Sequence, residues 1–154
     1  MPKLTLRRIG AVVLALTIAA ILAITLWPTH VDQGHEGTVR HVVTVLHSEK
    51  VAPAWYGYSE VEFTANILMF VPLGLLLGLL VPRRRIAWVA LAIPGFSAAI
   101  ETTQGLFLPG RTASIFDVLS NTTGGWLGLA LASVIVAVVA SIRSRNVIVN
   151  SPVT

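Results

Sequence analysis

Four stretches of apolar residues, each long enough to cross a bilayer, dominate this chain of 154 residues. They cover residues 10–27, 63–81, 86–106 and 118–142. A helix needs about 20 apolar residues to cross the hydrocarbon of a membrane. Backbone groups in lipid must form their hydrogen bonds within the element, so stretches of this length are helices and not strands. The sequence therefore predicts an all-α membrane protein, a bundle of four transmembrane helices.

The composition excludes several classes of function. Hydrophobic residues make up 55% of the chain and charged residues only 12%, about half the charged fraction of a soluble domain. The chain has no cysteine, which excludes disulfides, a thiol nucleophile and a thiolate metal site. The net charge of +4 is placed at helix ends, which argues against a nucleic-acid partner. We expect no cofactor and no metal site.

The first apolar stretch has two readings, a cleaved signal peptide or a retained helix. Lys3, Arg7 and Arg8 precede it, as the basic residues of a signal peptide would. The apolar core is longer than the ~7–15 residues usual in a signal peptide, and no A-x-A cleavage site follows. We therefore expect a retained helix after a cytoplasmic N-terminus of residues 1–9.

The basic residues predict the orientation. With the N-terminus inside, eight basic residues are cytoplasmic: Lys3, Arg7, Arg8, Arg83, Arg84, Arg85, Arg143 and Arg145. Only Arg40, Lys50 and Arg111 are then outside. Short cytoplasmic segments carry an excess of Lys and Arg, so we expect a multi-pass protein of the inner (cytoplasmic) cell membrane. Both termini, including the tail of residues 143–154, are predicted to be cytoplasmic.

The extracytoplasmic loop of residues 28–62 contains an amphipathic segment. Residues 38–48 place valine and leucine at helical spacing on one face, which predicts a short helix on the membrane surface. Trp55, Tyr56 and Tyr58 follow, where an interfacial aromatic belt is expected. The loop also holds all four histidines: His30, His35, His41 and His47. No pair of them has the spacing and carboxylate of a metal site.

Polar residues inside the spans fall at one depth. At 1.5 Å per residue, Asn66 lies roughly 5 Å below the outer boundary and Glu101 about 8 Å below it. Asp117 stands at the outer start of the fourth helix, and Asn121 lies one turn deeper on the same face. The complete layer comprises Glu62, Asn66, Glu101, Gln104, Arg111, Asp117 and Asn121.

Glycines occupy the same helix faces below that layer. Gly124 and Gly128 form a small-xxx-small pattern, which allows close approach of helices. Gly74 and Gly78 lie on the same face as Asn66. We expect a bundle that is tight in its inner half and opens outward as a polar pocket. Gly124 and Gly128 could instead mediate homo-oligomers.

Each member of the polar layer has a structural and a functional interpretation. Buried Asn side chains often join helices, Asp117 could cap its helix, and Glu101 could pair with Arg111. Three carboxylates near one arginine exceed what such pairing needs, and intramembrane ionisable groups are often functional. Candidate acid or base residues are Glu101 and Asp117. Candidate ligand-binding residues are Glu62, Asn66, Gln104, Arg111 and Asn121.

Two blocks in these helices resemble the VanZ-like family. Residues 62–74 match the pattern E-F-x-x-N-x-x-x-F-x-P-L-G. The second block, similar to E-x-x-Q…R…D-x-x-x-N-T-x-G, comprises Glu101, Gln104, Arg111, Asp117, Asn121, Thr122 and Gly125. The resemblance covers about residues 60–130. Many members carry further acids between the Arg and the Asp, where this chain has none.

The resemblance implies a phenotype and not a reaction, because the family takes its name from a protein associated with resistance to teicoplanin-type glycopeptides. We expect a pocket for an envelope component or antibiotic, with membrane lipids, an envelope lipid intermediate or a glycopeptide as partners. Whether the pocket catalyses a reaction stays open. The alternative is a scaffold whose polar layer only stabilises the bundle. Proton-coupled transport is disfavoured because the inner halves of the helices offer almost no polar path.

Overall fold

The computed structural model describes residues 2–27, 36–53, 55–109 and 113–149. Within these ranges the chain is helical, and none of the described residues lies in a strand. The helices are α1 (Pro2–Thr25), α2 (Glu36–Ser48), α3 (Tyr58–Leu80), α4 (Ile86–Phe107) and α5 (Ile115–Val149). A single 3₁₀ turn, Arg83–Arg85, joins α3 to α4.

Four of these helices are long and apolar enough to cross a membrane. The spans are Leu4–Thr25, Tyr58–Leu80, Arg83–Phe107, which includes the 3₁₀ turn before α4, and Ile115–Arg145. The predicted class, an all-α membrane protein with four membrane-length helices, is confirmed. Large apolar side chains such as Leu16, Trp88 and Val134 are exposed along them, as expected for surfaces that face lipid. The amphipathic helix α2 is also present, and its placement at a membrane surface stays a prediction.

The most extensive helix contact joins α3 to α5, and glycine makes it possible. A Cβ on Gly124 would overlap the carbonyl oxygen of Ile67, and a Cβ on Gly128 would overlap that of Val71. In return, a Cβ on Gly74 would overlap the carbonyl oxygen of Gly125. Glycine on both sides thus brings the two backbones into direct contact, the geometry that small residues allow in membranes.

A proline in α4 creates a second link to α5. Pro94 has no N–H, so it leaves the carbonyl of Ala90, four residues earlier, without its helical donor. The indole Nε1 of Trp126 donates to that carbonyl oxygen at 2.9 Å. In lipid no water satisfies such a group, so the hydrogen bond compensates for the proline and fixes α4 against α5.

The apolar core lies between α1, α3 and α4. Ile21, Phe70, Leu73 and Ile100 are all nearly inaccessible and pack together. Phe70 also contacts Phe96, with ring centroids 6.1 Å apart. This core holds α1 against the bundle, and α3 runs without interruption through Pro72.

Candidate functional site

Polar side chains converge at one end of the bundle, which we call the polar end. It consists of the C-terminal ends of α1 and α4 and the N-terminal ends of α3 and α5. Three hydrogen bonds between these segments define it. Two of them join residues 51 and 79 positions apart in the sequence, and the third joins α4 to the segment before α5. The depths estimated from the sequence placed the corresponding ends of α3, α4 and α5 in one layer and did not include the end of α1.

Asn66 and Asp117 join α3 to α5. The amide Nδ2 of Asn66 donates to Oδ1 of Asp117 at 3.1 Å. Asp117 is also fixed from its own helix, because its backbone N–H donates to Oγ of Ser114 at 3.4 Å. The hydroxyl of Ser120, one turn further on, donates to the Asp117 carbonyl at 3.1 Å. The bond from Asn66 thus holds the carboxylate of Asp117, and the two local bonds hold its backbone in the first turn of α5.

Glu101 is the most deeply buried carboxylate of this end. Its side chain is 5% exposed, and its Oε2 accepts a hydrogen bond of 2.8 Å from the backbone N–H of Ser114. Because Ser114 lies just before α5, Glu101 positions the start of that helix from α4. Ser114 is thus bound twice, because its backbone N–H donates to Glu101 and its hydroxyl accepts from the backbone N–H of Asp117.

Gln104 connects the polar end to α1. Its Nε2 donates to the carbonyl oxygen of Thr25 at 2.7 Å, and the Gln104 side chain is 6% exposed. Thr25 is the last residue of α1, and the last four carbonyls of a helix have no donor within the helix. Gln104 therefore caps α1 from the neighbouring helix.

Asn121 lies deeper, between α4 and α5. Its Nδ2 donates to Oγ of Ser97 at 3.0 Å, and both residues are buried. The Oδ1 of Asn121 and the Oγ1 of neighbouring Thr122 are buried atoms without a hydrogen-bond partner. The hydrogen bond from Asn121 to Ser97 therefore joins two helices inside the bundle.

A groove of about 480 Å³ opens at the polar end, between the start of α3, the start of α5 and the segment before α3. Its walls combine three carboxylates, four aromatic side chains and the hydroxyls of three serine or threonine residues. The lining residues are Trp55, Tyr56, Ser59, Glu60, Glu62, Phe63, Thr64, Ser114, Phe116 and Asp117. Ligand pockets typically measure about 300–1,000 Å³ and combine apolar walls with a few polar groups, and the groove fits both criteria.

Local hydrogen bonds shape the aromatic wall. Glu60 accepts from the backbone N–H of Gly57 at 2.8 Å and from the hydroxyl of Ser59 at 3.0 Å, which secures the first turn of α3. The phenol oxygen of Tyr56 lies 2.9 Å from Oγ1 of Thr64. The segment before α3 is thereby fixed against the helix, with the rings of Trp55 and Tyr56 6.2 Å apart.

The candidate residues fall into three groups. Glu62 and Asp117 line the groove. Asn66 and Glu101 lie behind it, each bonded to a lining residue. Gln104 and Asn121 form hydrogen bonds between helices that involve no lining residue. Arg111, together with His30 and His35, lies outside the described residues.

Sequence reasoning missed most of the groove wall. It assigned Trp55 and Tyr56 to a membrane-interface belt and gave no role to Phe63, Ser114 or Phe116. Phe63 and Phe116 each stand next to a carboxylate, Glu62 and Asp117 respectively, in the first two turns of an apolar helix. An aromatic residue beside a carboxylate at the start of both helices was the sequence signal that could have indicated the groove.

The described part of the chain contains no group of three or more His, Asp or Glu side chains that could hold a metal ion. His41 lies exposed on α2, and His47 is partly buried near its end.

Comparison with known proteins identifies the family. A model of the VanZ/LLP1 family matches residues 12–136, a range that contains α2, α3 and α4 and most of α1 and α5. Neither the curated proteins nor the solved structures that were compared include a match. With this match over most of its length and four helices able to span a bilayer, the chain is a multi-pass membrane protein that belongs to the VanZ/LLP1 family.

Proposed function

We propose that this protein lies in the cell membrane with both termini in the cytoplasm, and that its groove binds an envelope component or a teicoplanin-type glycopeptide at the outer leaflet. The orientation follows from the eight basic residues that this topology places inside. It turns the polar end, and with it the groove, toward the outside. The family's association with glycopeptide resistance supports the choice of ligand.

The observation that carries the proposal is the composition of the groove. Glu62 and Asp117 bring carboxylates to a wall that Phe63 and Phe116 make aromatic. Sugars and peptides offer hydroxyls, amides and amines to carboxylate acceptors, and their apolar faces pack on aromatic rings. A groove with apolar and carboxylate walls at a helix end suits an amphipathic ligand held at the membrane surface.

The residues behind the groove have supporting roles in this proposal. Asn66 holds Asp117 and Glu101 holds Ser114, so both act on residues that line the groove. Arg111 is the one basic residue of the α4–α5 connection in the sequence. Its guanidinium would bind a phosphate or carboxylate of the ligand through two parallel hydrogen bonds.

Susceptibility measurements test the proposal. A host that produces the protein is compared with hosts producing Glu62→Gln or Asp117→Asn, which keep side-chain size but remove charge. Glu49→Gln is the matched control, because Glu49 is exposed at the end of α2 and does not line the groove. We expect the two groove variants, at equal membrane levels, to lose protection against teicoplanin, and the control to retain it.

Native mass spectrometry of the purified protein tests for a bound envelope component, which the susceptibility assay would miss if that component does not affect teicoplanin resistance. The wild type and Glu49→Gln should retain a co-purifying molecule that both groove variants lack. Unchanged susceptibility together with no co-purifying molecule in any sample would contradict the proposal.

A second candidate, a scaffold without a ligand, is favoured by a specific observation. Asn66, Gln104 and Asn121 each use the side-chain amide to join two helices. In that case the groove variants would lose function only in proportion to lost thermal stability. Asn121→Leu, which removes an interhelical hydrogen bond remote from the groove, would then impair function as much as Asp117→Asn.

A further inference from the structure

The described walls of the groove carry negative charge and no basic side chain. Glu60, Glu62 and Asp117 contribute three carboxylates, and none of the lining residues is Lys, Arg or His. Glu101 lies directly behind, bonded to the lining residue Ser114. Even if the whole charge of Arg111 is counted beside them, four carboxylates against one guanidinium leave the groove acidic.

The aromatic side chains are the second component. Trp55, Tyr56, Phe63 and Phe116 line the same cavity. The rings of Trp55 and Tyr56 stand 6.2 Å apart at 57°, so they form two walls of a corner and do not stack face to face. Aromatic faces carry negative potential and attract organic cations, most strongly where several rings surround an ammonium group.

An exposed apolar rim adjoins this corner. Trp55 is 71% exposed, Phe116 67% and Ile115 66%. Since Ile115 and Phe116 begin a helix of membrane-spanning length, the rim continues into the surface that faces lipid. A ligand in the groove can therefore keep an apolar chain in the bilayer.

From this combination of cavity, aromatic corner, acidic walls and apolar rim we infer that the groove binds the organic ammonium group of a membrane amphiphile. The inference rests on the proposed function and names the chemical class of its ligand. The cation lies against the rings of Trp55 and Tyr56, the carboxylates of Glu62 and Asp117 balance its charge, and the apolar chain follows Phe116 into the lipid.

A series of matched probes tests the inference on the full-length protein in dodecyl maltoside. Hexyltrimethylammonium, hexanol and hexyl sulfate share one chain and differ in head-group charge. Binding is followed by tryptophan fluorescence, and the signal of Trp55→Phe is subtracted to isolate the ring in the groove. We expect hexyltrimethylammonium to bind at least about 10-fold more tightly than either partner, as a paired, partly desolvated cation would.

Variants then assign the preference to the groove. Glu62→Gln and Asp117→Asn should each weaken hexyltrimethylammonium binding by about 10-fold and leave hexanol binding unchanged, while Glu49→Gln leaves both unchanged. Binding of tetramethylammonium, which has no alkyl chain, distinguishes a membrane amphiphile from a small soluble ammonium ligand. Much weaker binding without the chain supports a membrane amphiphile, and equal binding of both cations contradicts that part of the inference.

Two results would overturn the inference: equal affinity for hexyltrimethylammonium and hexanol, or preference for hexyl sulfate. Either result, with teicoplanin susceptibility still dependent on Glu62 and Asp117, would leave the proposed function in place and refute only the ligand class. If the groove binds the ammonium probe but Glu62→Gln and Asp117→Asn change neither teicoplanin susceptibility nor the co-purifying molecule, only the proposed function is refuted.

Discussion

The contact between α3 and α5 can be tested by adding a single methyl group. In Gly124→Ala, the new Cβ would overlap the carbonyl oxygen of Ile67 and lie 2.8 Å from its carbonyl carbon. These are backbone atoms, so no side-chain rotation relieves the overlap. The distance to the carbon alone would have to grow by about 0.6 Å to reach ordinary van der Waals contact. Relieving the overlap with the oxygen requires a larger shift, so the helices are forced apart.

That separation also affects the polar end. The hydrogen bond from Asn66 to Asp117 measures 3.1 Å, and a further ~0.6 Å between the helices takes it beyond the useful range. Overpacking costs about 1–3 kcal/mol, and an interhelical hydrogen bond in a membrane contributes about 0.6 kcal/mol on average. We expect Gly124→Ala to be about 2–4 kcal/mol less stable than a variant with the same substitution at an open site.

Gly95→Ala provides that open site. Gly95 lies in α4, and a Cβ there meets nothing within 4 Å. Alanine should therefore stabilise the helix by about 0.5–1 kcal/mol. Unfolding of both variants in mixed micelles of dodecyl maltoside and dodecyl sulfate measures the difference. Equal unfolding midpoints for Gly124→Ala and Gly95→Ala would refute the close contact of α3 and α5.

Two further substitutions test the hydrogen bonds that hold α4. Trp126→Phe removes the donor to the Ala90 carbonyl that Pro94 leaves free, and we expect a loss of about 1–2 kcal/mol in the same unfolding assay. Stability equal to wild type would show that the carbonyl needs no donor. Gln104→Met keeps side-chain volume but removes the cap on Thr25, so backbone amides at the end of α1 should exchange hydrogen faster, by about 10-fold for a loss near 1.4 kcal/mol. Unchanged exchange at α1, or acceleration equal in every helix, would contradict this role.

The helices were predictable because lipid imposes a simple rule on sequence. Length and hydropathy predicted four spans, and the residues that the structure describes form four helices that meet both criteria. The glycines were also informative, because the four-residue spacing of Gly124 and Gly128 predicts close helix packing even when the partner helix is unknown. The family resemblance was read from residues 60–130, and the family match extends over residues 12–136.

The arrangement of side chains at the polar end was harder to predict. Depth along a helix follows from counting residues, and it placed Asn66 and Asp117 in one layer, where a hydrogen bond joins them. Depth does not reveal which helix a side chain faces. The bond from Gln104 to Thr25 was missed because nothing in α4 indicates that α1 is its neighbour.

The groove depends on the segment before α3, which carries no periodic signal. Trp55 and Tyr56 are typical of a membrane interface. Because that interpretation explained both residues, the sequence offered no reason to predict a cavity there. Their place in the groove wall follows from the bond between Tyr56 and Thr64 and from the turn at Gly57. Hydrogen bonds of this kind are set by tertiary structure, and composition does not reveal them.

The central claim, an acidic groove that faces the outside of the cell, is tested most directly by labelling single cysteines. The chain has no native cysteine, so Ser59→Cys in the groove and Arg84→Cys in the α3–α4 turn each report one position. Both residues are exposed. In intact cells a membrane-impermeant maleimide should label Ser59→Cys at once and Arg84→Cys only after lysis. Labelling of Arg84→Cys in intact cells, with Ser59→Cys protected until lysis, would place the groove in the cytoplasm and contradict the account.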